Sequence, residues 1–213
     1  TLLKCKGRLI ISGMGKSGII SQKIASTMSS TGTPAYFVHP SEAIHGDLGM
    51  ITGQDVIILL SNSGETSELI QILPALQKKK VTIIGLIGKA GSTLSNEANI
   101  FLNTSVKKEA CTLDLAPTAS TTATLAMGDA LAISLLELRG FNKENFAELH
   151  PGGILGKKLL LTINHLVHIG EDLPFVETST KIKEVLLTIS EKGLGVTGVL
   201  NKDKELVGII TDG

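Results

Sequence analysis

Two stretches of this chain carry residue types that suit phosphate chemistry. The first is Ser61-Asn-Ser-Gly-Glu-Thr66, in which Ser61, Ser63 and Thr66 bring hydroxyls to one loop, with Ser67 just beyond. A strand-like run precedes the loop and a helix-like run follows it. At such a helix N-terminus the free backbone N–H groups and the helix dipole favour an anion, and hydroxyls add donors. A simple N-cap needs only one Ser or Thr, so this density argues for a phosphate cradle. The second stretch is Gly13-Met-Gly-Lys-Ser-Gly18. Its spacing matches the dinucleotide fingerprint. That fingerprint also wants an acid at the end of the next strand for the ribose hydroxyls. Here the strand ends Val38-His-Pro40, with no acid before Glu42. Ile10 stands where a P-loop would have its first Gly. Lys16 and Ser17 in this loop suit a phosphate or sugar oxyanion better than a stacked nicotinamide.

The elements that must position these loops read as an alternation. Short apolar runs at 8–12, 34–38, 55–60, 81–87 and 100–103 are expected strands. Helix-like patterns cover 17–31, 67–78, 93–98 and 118–138. The strand runs are continuously apolar, which marks strands covered on both faces. Strands alternating with helices imply βαβ units and a doubly wound five-stranded parallel sheet in an α/β fold. Ligands of such sheets bind at the carboxyl ends of the strands. The loops after Ser12, Val38, Leu60 and Asn103 are therefore expected to converge on one site. Residues 142–158 read as an irregular tail bearing Gly, Pro and His. Beyond it, 176–179 suggests an extended piece, 181–190 an amphipathic helix, and 197–210 a hairpin turning at 201–204. This gives two expected regions, 1–158 and a smaller, incomplete 159–213.

Composition narrows the class. Among 213 residues, 20 Lys+Arg balance 20 Asp+Glu, and there is one Tyr, no Trp and five Phe. A nucleic-acid binder usually shows a basic surplus and stacking aromatics, so no nucleic-acid partner is expected. The stretch 121–138 approaches membrane-spanning length, but an Asp near a helix centre, here Asp129, costs about 2.5–3.5 kcal/mol on insertion. It reads as a buried core helix, and no membrane is expected. Cys5 and Cys111 are far apart, with no secretory signal, which suits a reducing cytoplasm. The chain starts just before an expected strand and ends within one, as a piece of a longer protein would.

Four stretches together resemble the sugar isomerase (SIS) domain and, within it, the arabinose-5-phosphate isomerases. They are Ser12-Gly-Met-Gly-Lys-Ser-Gly18, Val38-His-Pro-Ser-Glu-Ala-Ile-His-Gly-Asp47, Ser61-Asn-Ser-Gly-Glu-Thr66 and Leu149-His-Pro-Gly-Gly-Ile-Leu-Gly156. The second and fourth are the specific ones. The segment from about His165 resembles the first cystathionine-β-synthase (CBS) motif of a tandem pair, here truncated; an intact pair would offer a nucleotide effector site. The resemblance implies a flavodoxin-like three-layer fold and interconversion of ribulose 5-phosphate and arabinose 5-phosphate. The product would feed octulosonate synthesis for lipopolysaccharide or capsule. It implies catalytic roles for Lys16, Glu68, Glu109 and His150. It places substrate contacts at Ser17, Gly32, Thr33, His39 and His45, and the phosphate on Ser61, Ser63 and Thr66. It also implies an inhibitory zinc near His39, with no cofactor required. The chain departs from the family at Thr112, where Pro is common, and at Ala119, where Ser is common.

These residues suit an aldose–ketose isomerase. The reaction opens the sugar ring and moves a proton between C1 and C2 through a cis-enediol, which needs a base, an enediolate stabiliser and a ring-opening acid/base. Glu109 follows the fifth strand and is the expected C1/C2 base, with partial burial raising its pKa toward working pH. Without the resemblance it would read as a solvated Glu beside Lys107 and Lys108. Imidazole suits ring opening, which fits His150; in related isomerases such a His comes from a neighbouring subunit, so a homotetramer is expected. Lys16 would neutralise the enediolate or the phosphate. Glu68 starts a helix, where a carboxylate is favoured anyway. His39 and His45, with Glu42 and Asp47 nearby, read as substrate contacts before metal ligands. The alternatives are an SIS isomerase of another sugar phosphate and a sugar-phosphate sensor. A sensor would normally add a DNA-binding helix-turn-helix, and no basic one is visible.

Overall fold

Apolar runs that alternate between two cores dictate the architecture of the first half of the chain. The computed structural model describes the backbone of residues 1–213 and every side chain except those of 154, 155 and 160. The chain divides into two units, Thr1–Leu160 and Leu161–Gly213.

In the first unit, β1 (Leu9–Gly13), β2 (Ala35–Phe37), β3 (Val56–Ser61), β4 (Thr82–Ile87) and β5 (Ile100–Asn103) form one parallel sheet in the order β2-β1-β3-β4-β5. Successive side chains on a strand point to opposite faces. Leu9 and Ile11 of β1, with Val56, Ile58 and Leu60 of β3, enter one core. Ile10, Ile57 and Leu59 enter the other. This two-sided demand explains why the strand sequences do not alternate with polar residues. Each fully buried Leu or Ile contributes roughly 1.5–3 kcal/mol, so the strand ends are firmly fixed.

On one face lie α1 (Lys16–Ser30) and α5 (Ala119–Leu138). On the other lie α2 (Pro40–Ile44), α3 (Ser67–Lys78) and α4 (Thr93–Glu97). Gly128 of α5 meets Ile24 of α1 so closely that any Cβ there would collide with the Ile side chain. Beside that contact, Lys23 Nζ donates to both oxygens of Asp129, at 2.5 and 2.7 Å. The pair is partly exposed and contributes about 0–1 kcal/mol.

Three expectations change. The 118–138 helix, expected to be buried in the core, covers the sheet with one face only: Ser120, Gly128, Ala132 and Leu135 are buried, while Ile133 and Leu138 are exposed. An outer-layer helix needs only one apolar stripe inward. It is nonetheless long and apolar enough to cross a membrane by length and composition, with Asp129 held by Lys23. The expected irregular tail instead contains α6 (Lys143–Leu149) and α7 (Ile154–Leu160). Asn142 starts α6 through a reciprocal capping box with Asn145, which satisfies otherwise orphaned N–H groups. The short helix α2 is an addition to the expected elements. Pro40 at its first position and His39 as its cap supply the start.

The second unit contains β6 (Phe175–Glu177), α8 (Ile182–Lys192), β7 (Val196–Leu200) and β8 (Leu206–Thr211). β6 pairs parallel with β7, and β7 pairs antiparallel with β8. Its buried core is Val176, Val185 and Ile189, with Val199 and Ile210 packed against it.

Candidate active site

The chain runs from β1 outward to β2 and returns to the other side of β1 at β3, so the topological switch point lies between β1 and β3. Open α/β sheets bind ligands in the crevice this creates at the carboxyl ends of the strands. A cleft of about 130 Å³ lies at that edge, lined by Lys16, Ser17, Asn62, Pro117, Ser120 and Thr121 among others. Lys16 and Ser17 open α1, after Gly15 takes a positive φ of 57°. Ser120 and Thr121 belong to the first turn of α5. Two helix N-termini therefore meet the cleft, and the dipole of α1 favours an anion there, while the start of α5 is held by a carboxylate of the chain itself. Among the described residues, Lys16 has no carboxylate in salt-bridge reach, so its charge is available to a ligand.

The hydroxyl-rich loop after β3 spends part of its chemistry on itself. Ser61 is buried; its Oγ lies 2.8 Å from Thr66 Oγ1 and accepts the Gly64 N–H at 2.9 Å. Ser63 Oγ accepts the Glu65 N–H at 3.1 Å. Gly64 has φ 68° and sits so close to Ser92 that a side chain would clash. The Glu65 carboxylate accepts the Thr93 N–H at 2.8 Å, which ties the loop to the start of α4 and holds that carboxyl below its ordinary range. Asn62, left exposed, is the loop's side chain in the cleft.

Glu109 is buried and serves as the anchor of the α5 N-terminus. Ser120 Oγ donates a short hydrogen bond to its Oε1. Its Oε2 accepts the Thr118 N–H at 2.8 Å, the Thr118 hydroxyl at 3.1 Å and the Ser120 N–H at 3.1 Å. The Ser120 hydroxyl, then the Thr118 N–H, bring its pKa down to about 2, against the opposing pull of desolvation. This overturns the expectation that burial would raise it. Donors to the charged form outweigh burial here. The loop leading to it is tied as well: Asp114 accepts the Glu109 N–H at 2.5 Å, and Cys111 Sγ accepts the Leu115 and Ala116 N–H groups. Those N–H groups, Ala116 first, lower the Cys111 thiol pKa. Thr112 is exposed within this tied turn.

Glu68 lies in the first turn of α3, not in the cleft lining. Its own backbone N–H, then the Ser67 hydroxyl at 2.8 Å, hold its carboxyl below the ordinary range, with a smaller contribution from nearby His39. His39 accepts the Ser41 N–H on Nδ1 at 3.3 Å and meets Phe37 edge-on at 6.1 Å. His45 ends α2 and is exposed. Among the described residues no three His, Cys, Asp or Glu side chains gather around one point. Zinc normally takes four ligands, three from protein even in open sites, so a single chain offers at most part of a zinc site at His39.

Gly32, Thr33 and His150 are not brought to the cleft. Gly32 and Thr33 precede β2, at the amino edge of the sheet, with Gly32 against Phe141. Thr33 Oγ1 is buried without a hydrogen-bond partner among the described residues. His150 follows α6, stacks on Phe146 at 3.9 Å and shares a hydrogen bond of 2.8 Å with the Phe146 carbonyl through Nδ1. Its neighbour Leu149 lines a cavity at the amino edge with Arg8, Gly32 and Tyr36. The residues that sequence reasoning missed are Asn62, Ser120 and Thr121. The Ser/Thr run at the expected start of the 118–138 helix was the signal for Ser120 and Thr121, and the hydroxyl-rich loop after β3 was the signal for Asn62.

A family model described as SIS domain matches residues 2–134. The chain is 52% identical over 212 residues to a Pseudomonas aeruginosa protein named arabinose 5-phosphate isomerase KdsD, a match covering 100% of this chain and 65% of that protein. A Shigella flexneri protein of the same name is 51% identical over 209 residues, covering 98% of this chain and 64% of its own length. The chain thus spans a little under two thirds of these curated relatives. Among solved structures, that of c3406 from E. coli CFT073 in complex with arabinose 5-phosphate is similar, with a TM-score of 0.69 and 46% identity. That match covers 70% of this chain and 80% of that one.

Proposed function

Because the chain belongs to the SIS domain family, we propose that it is the isomerase part of an enzyme interconverting D-ribulose 5-phosphate and D-arabinose 5-phosphate through a cis-enediol. Relatives named for arabinose 5-phosphate isomerase activity, and a similar structure holding that sugar phosphate, support the substrate class. The observation that carries the reading is the cleft itself: Lys16, the N-terminus of α1 and an ionised carboxylate one hydroxyl behind the wall.

In this reading the phosphate sits over the backbone of the Ser61–Thr66 loop, with Ser17 as a further donor. Lys16 and the N-terminus of α1 stabilise the enediolate oxygens as charge develops. Glu109 moves the proton between C1 and C2. Held by several donors, it is a weak base, so the electrostatics around the enediolate must supply much of the driving force. Glu68 and its neighbour His39 orient the sugar. The cleft is smaller than the roughly 300–1,000 Å³ usual for small-molecule sites. We place its missing wall on a second subunit of a homotetramer, whose amino edge brings His150 for ring opening together with Gly32 and Thr33. The chemistry needs no redox or metal cofactor. Free Cys5 and Cys111 suit a cytoplasmic setting, and the product would enter octulosonate synthesis for lipopolysaccharide or capsule.

The test supplies ribulose 5-phosphate to the full-length oligomer without added metal and follows carbon NMR. Arabinose 5-phosphate is expected. A folded oligomer that produces none, while converting another sugar phosphate or merely binding one, would refute the reading.

A further inference from the structure

We propose that Ser120 is a positioning residue that selects Oε1 of Glu109 as the proton-accepting atom and presents it to the cleft. The proposal rests on the reading of Glu109 as the C1/C2 base.

The two oxygens of this carboxylate are not equivalent. Oε2 takes three donors, the Thr118 N–H, the Thr118 hydroxyl and the Ser120 N–H. Oε1 takes one among the described residues, the Ser120 hydroxyl. An ionised carboxylate offers about two lone-pair sites per oxygen, so Oε2 is filled and Oε1 keeps one open. Ser120 is also the residue that joins the carboxylate to the site, since it lines the cleft beside Lys16 and Asn62 while being buried. One residue thus grips both oxygens, N–H to Oε2 and hydroxyl to Oε1. That grip fixes the carboxylate plane and leaves the open lone-pair site on Oε1, the oxygen bonded to the hydroxyl of cleft-lining Ser120. The backbone half of the grip survives substitution by Ala or Thr, while the hydroxyl half depends on Ser or Thr. The depressed pKa of Glu109, whose largest cause is this hydroxyl, agrees with a strong contact.

The test is a double-mutant cycle. Ser120→Ala is expected to lower kcat on the order of 100-fold, the scale of an angstrom-level misplacement of a catalytic group, with little change in KM. Ser120→Thr, which keeps the hydroxyl, is expected to restore most of the rate. In a Glu109→Gln background, Ser120→Ala is expected to add no further loss, because a residue acting through another is non-additive with it. An unchanged kcat in Ser120→Ala, or a full extra loss in the Glu109→Gln background, overturns the proposal. The second result would mean that Ser120 acts independently of Glu109. A carboxyl-carbon NMR signal assigned to Glu109 reads the grip without activity. It is expected to begin titrating at higher pH in Ser120→Ala than in wild type, and an identical signal in both overturns the proposal. If the wild type makes no arabinose 5-phosphate, the isomerase reading fails, and the carboxyl signal still decides the grip.

Discussion

The carboxyl edge of the five-stranded sheet gathers Lys16, Ser17, Asn62, Ser120 and the ionised Glu109, whereas the amino edge gathers Gly32, Thr33 and His150 among Tyr36, Phe141 and Phe146. The first edge is built for an anion, with Lys16 and the N-terminus of α1 at the cleft. The second is built of rings and small residues that present one imidazole. The resemblance assigns both sets to a single site, and one chain holds them apart along the strands. The difference teaches that, under the proposed function, this fold carries two half-sites. A second copy must then bring the amino edge of one chain to the carboxyl edge of another, which makes assembly a condition of catalysis.

The largest effects that would break or sharpen this contrast come from one substitution at each edge. His150→Asn at the amino edge is expected to lower kcat by about 10²–10⁴-fold, the scale of a lost acid/base. Lys16→Met at the carboxyl edge is expected to lower it by about 10²–10³-fold, the scale of a lost oxyanion stabiliser. Steady-state kinetics on assembled enzyme checks both. A loss of only a few-fold for His150→Asn would remove the amino edge from the site. A smaller effect concerns charge at the carboxyl edge alone. Glu109 has a folded pKa of about 2, below its ordinary 4.5, so its ionised form stabilises the fold. That stabilisation is complete above the ordinary value of 4.5 and is lost as pH falls toward 2. The Tm difference between wild type and Glu109→Gln should hold steady above about pH 5 and shrink on acidification below 4.5. A difference independent of pH would mean the hydrogen bonds to Glu109 do not favour its charge.

The sheet was legible because burial on both faces leaves a plain mark, an uninterrupted apolar run such as that of β3, Val56–Ser61. The start of α3 at Ser67 and the switch-point loops followed from the same pattern. The short helices α2, α6 and α7 were harder to see. Seven residues or fewer give less than two full turns of periodicity, and Pro40, Pro151 and Gly152 read as breakers in a linear sequence. Pro at a first helical position was a usable clue for α2. The state of Glu109 was out of reach for another reason. Burial and hydrogen bonding push a carboxylate in opposite directions, and the donors from Thr118 and Ser120 depend on the path of the loop after β5. The same path put Ser120 in the cleft wall. The grouping of Gly32 and His150 with Lys16 rests on the resemblance alone, whereas the parallel pairing of β1 and β2 puts the turn before β2 at the amino edge.

Complementation between inactive variants tests the divided site most directly. Lys16→Met and His150→Asn full-length proteins, each nearly inactive on ribulose 5-phosphate, would be unfolded together, reassembled and assayed by NMR for arabinose 5-phosphate. In a random mixture about one quarter of the sites would combine an intact carboxyl edge with an intact amino edge, so activity near one quarter of wild type is predicted. Reassembled mixtures no more active than the separate variants, when wild type treated in the same way recovers, would contradict a site shared between subunits.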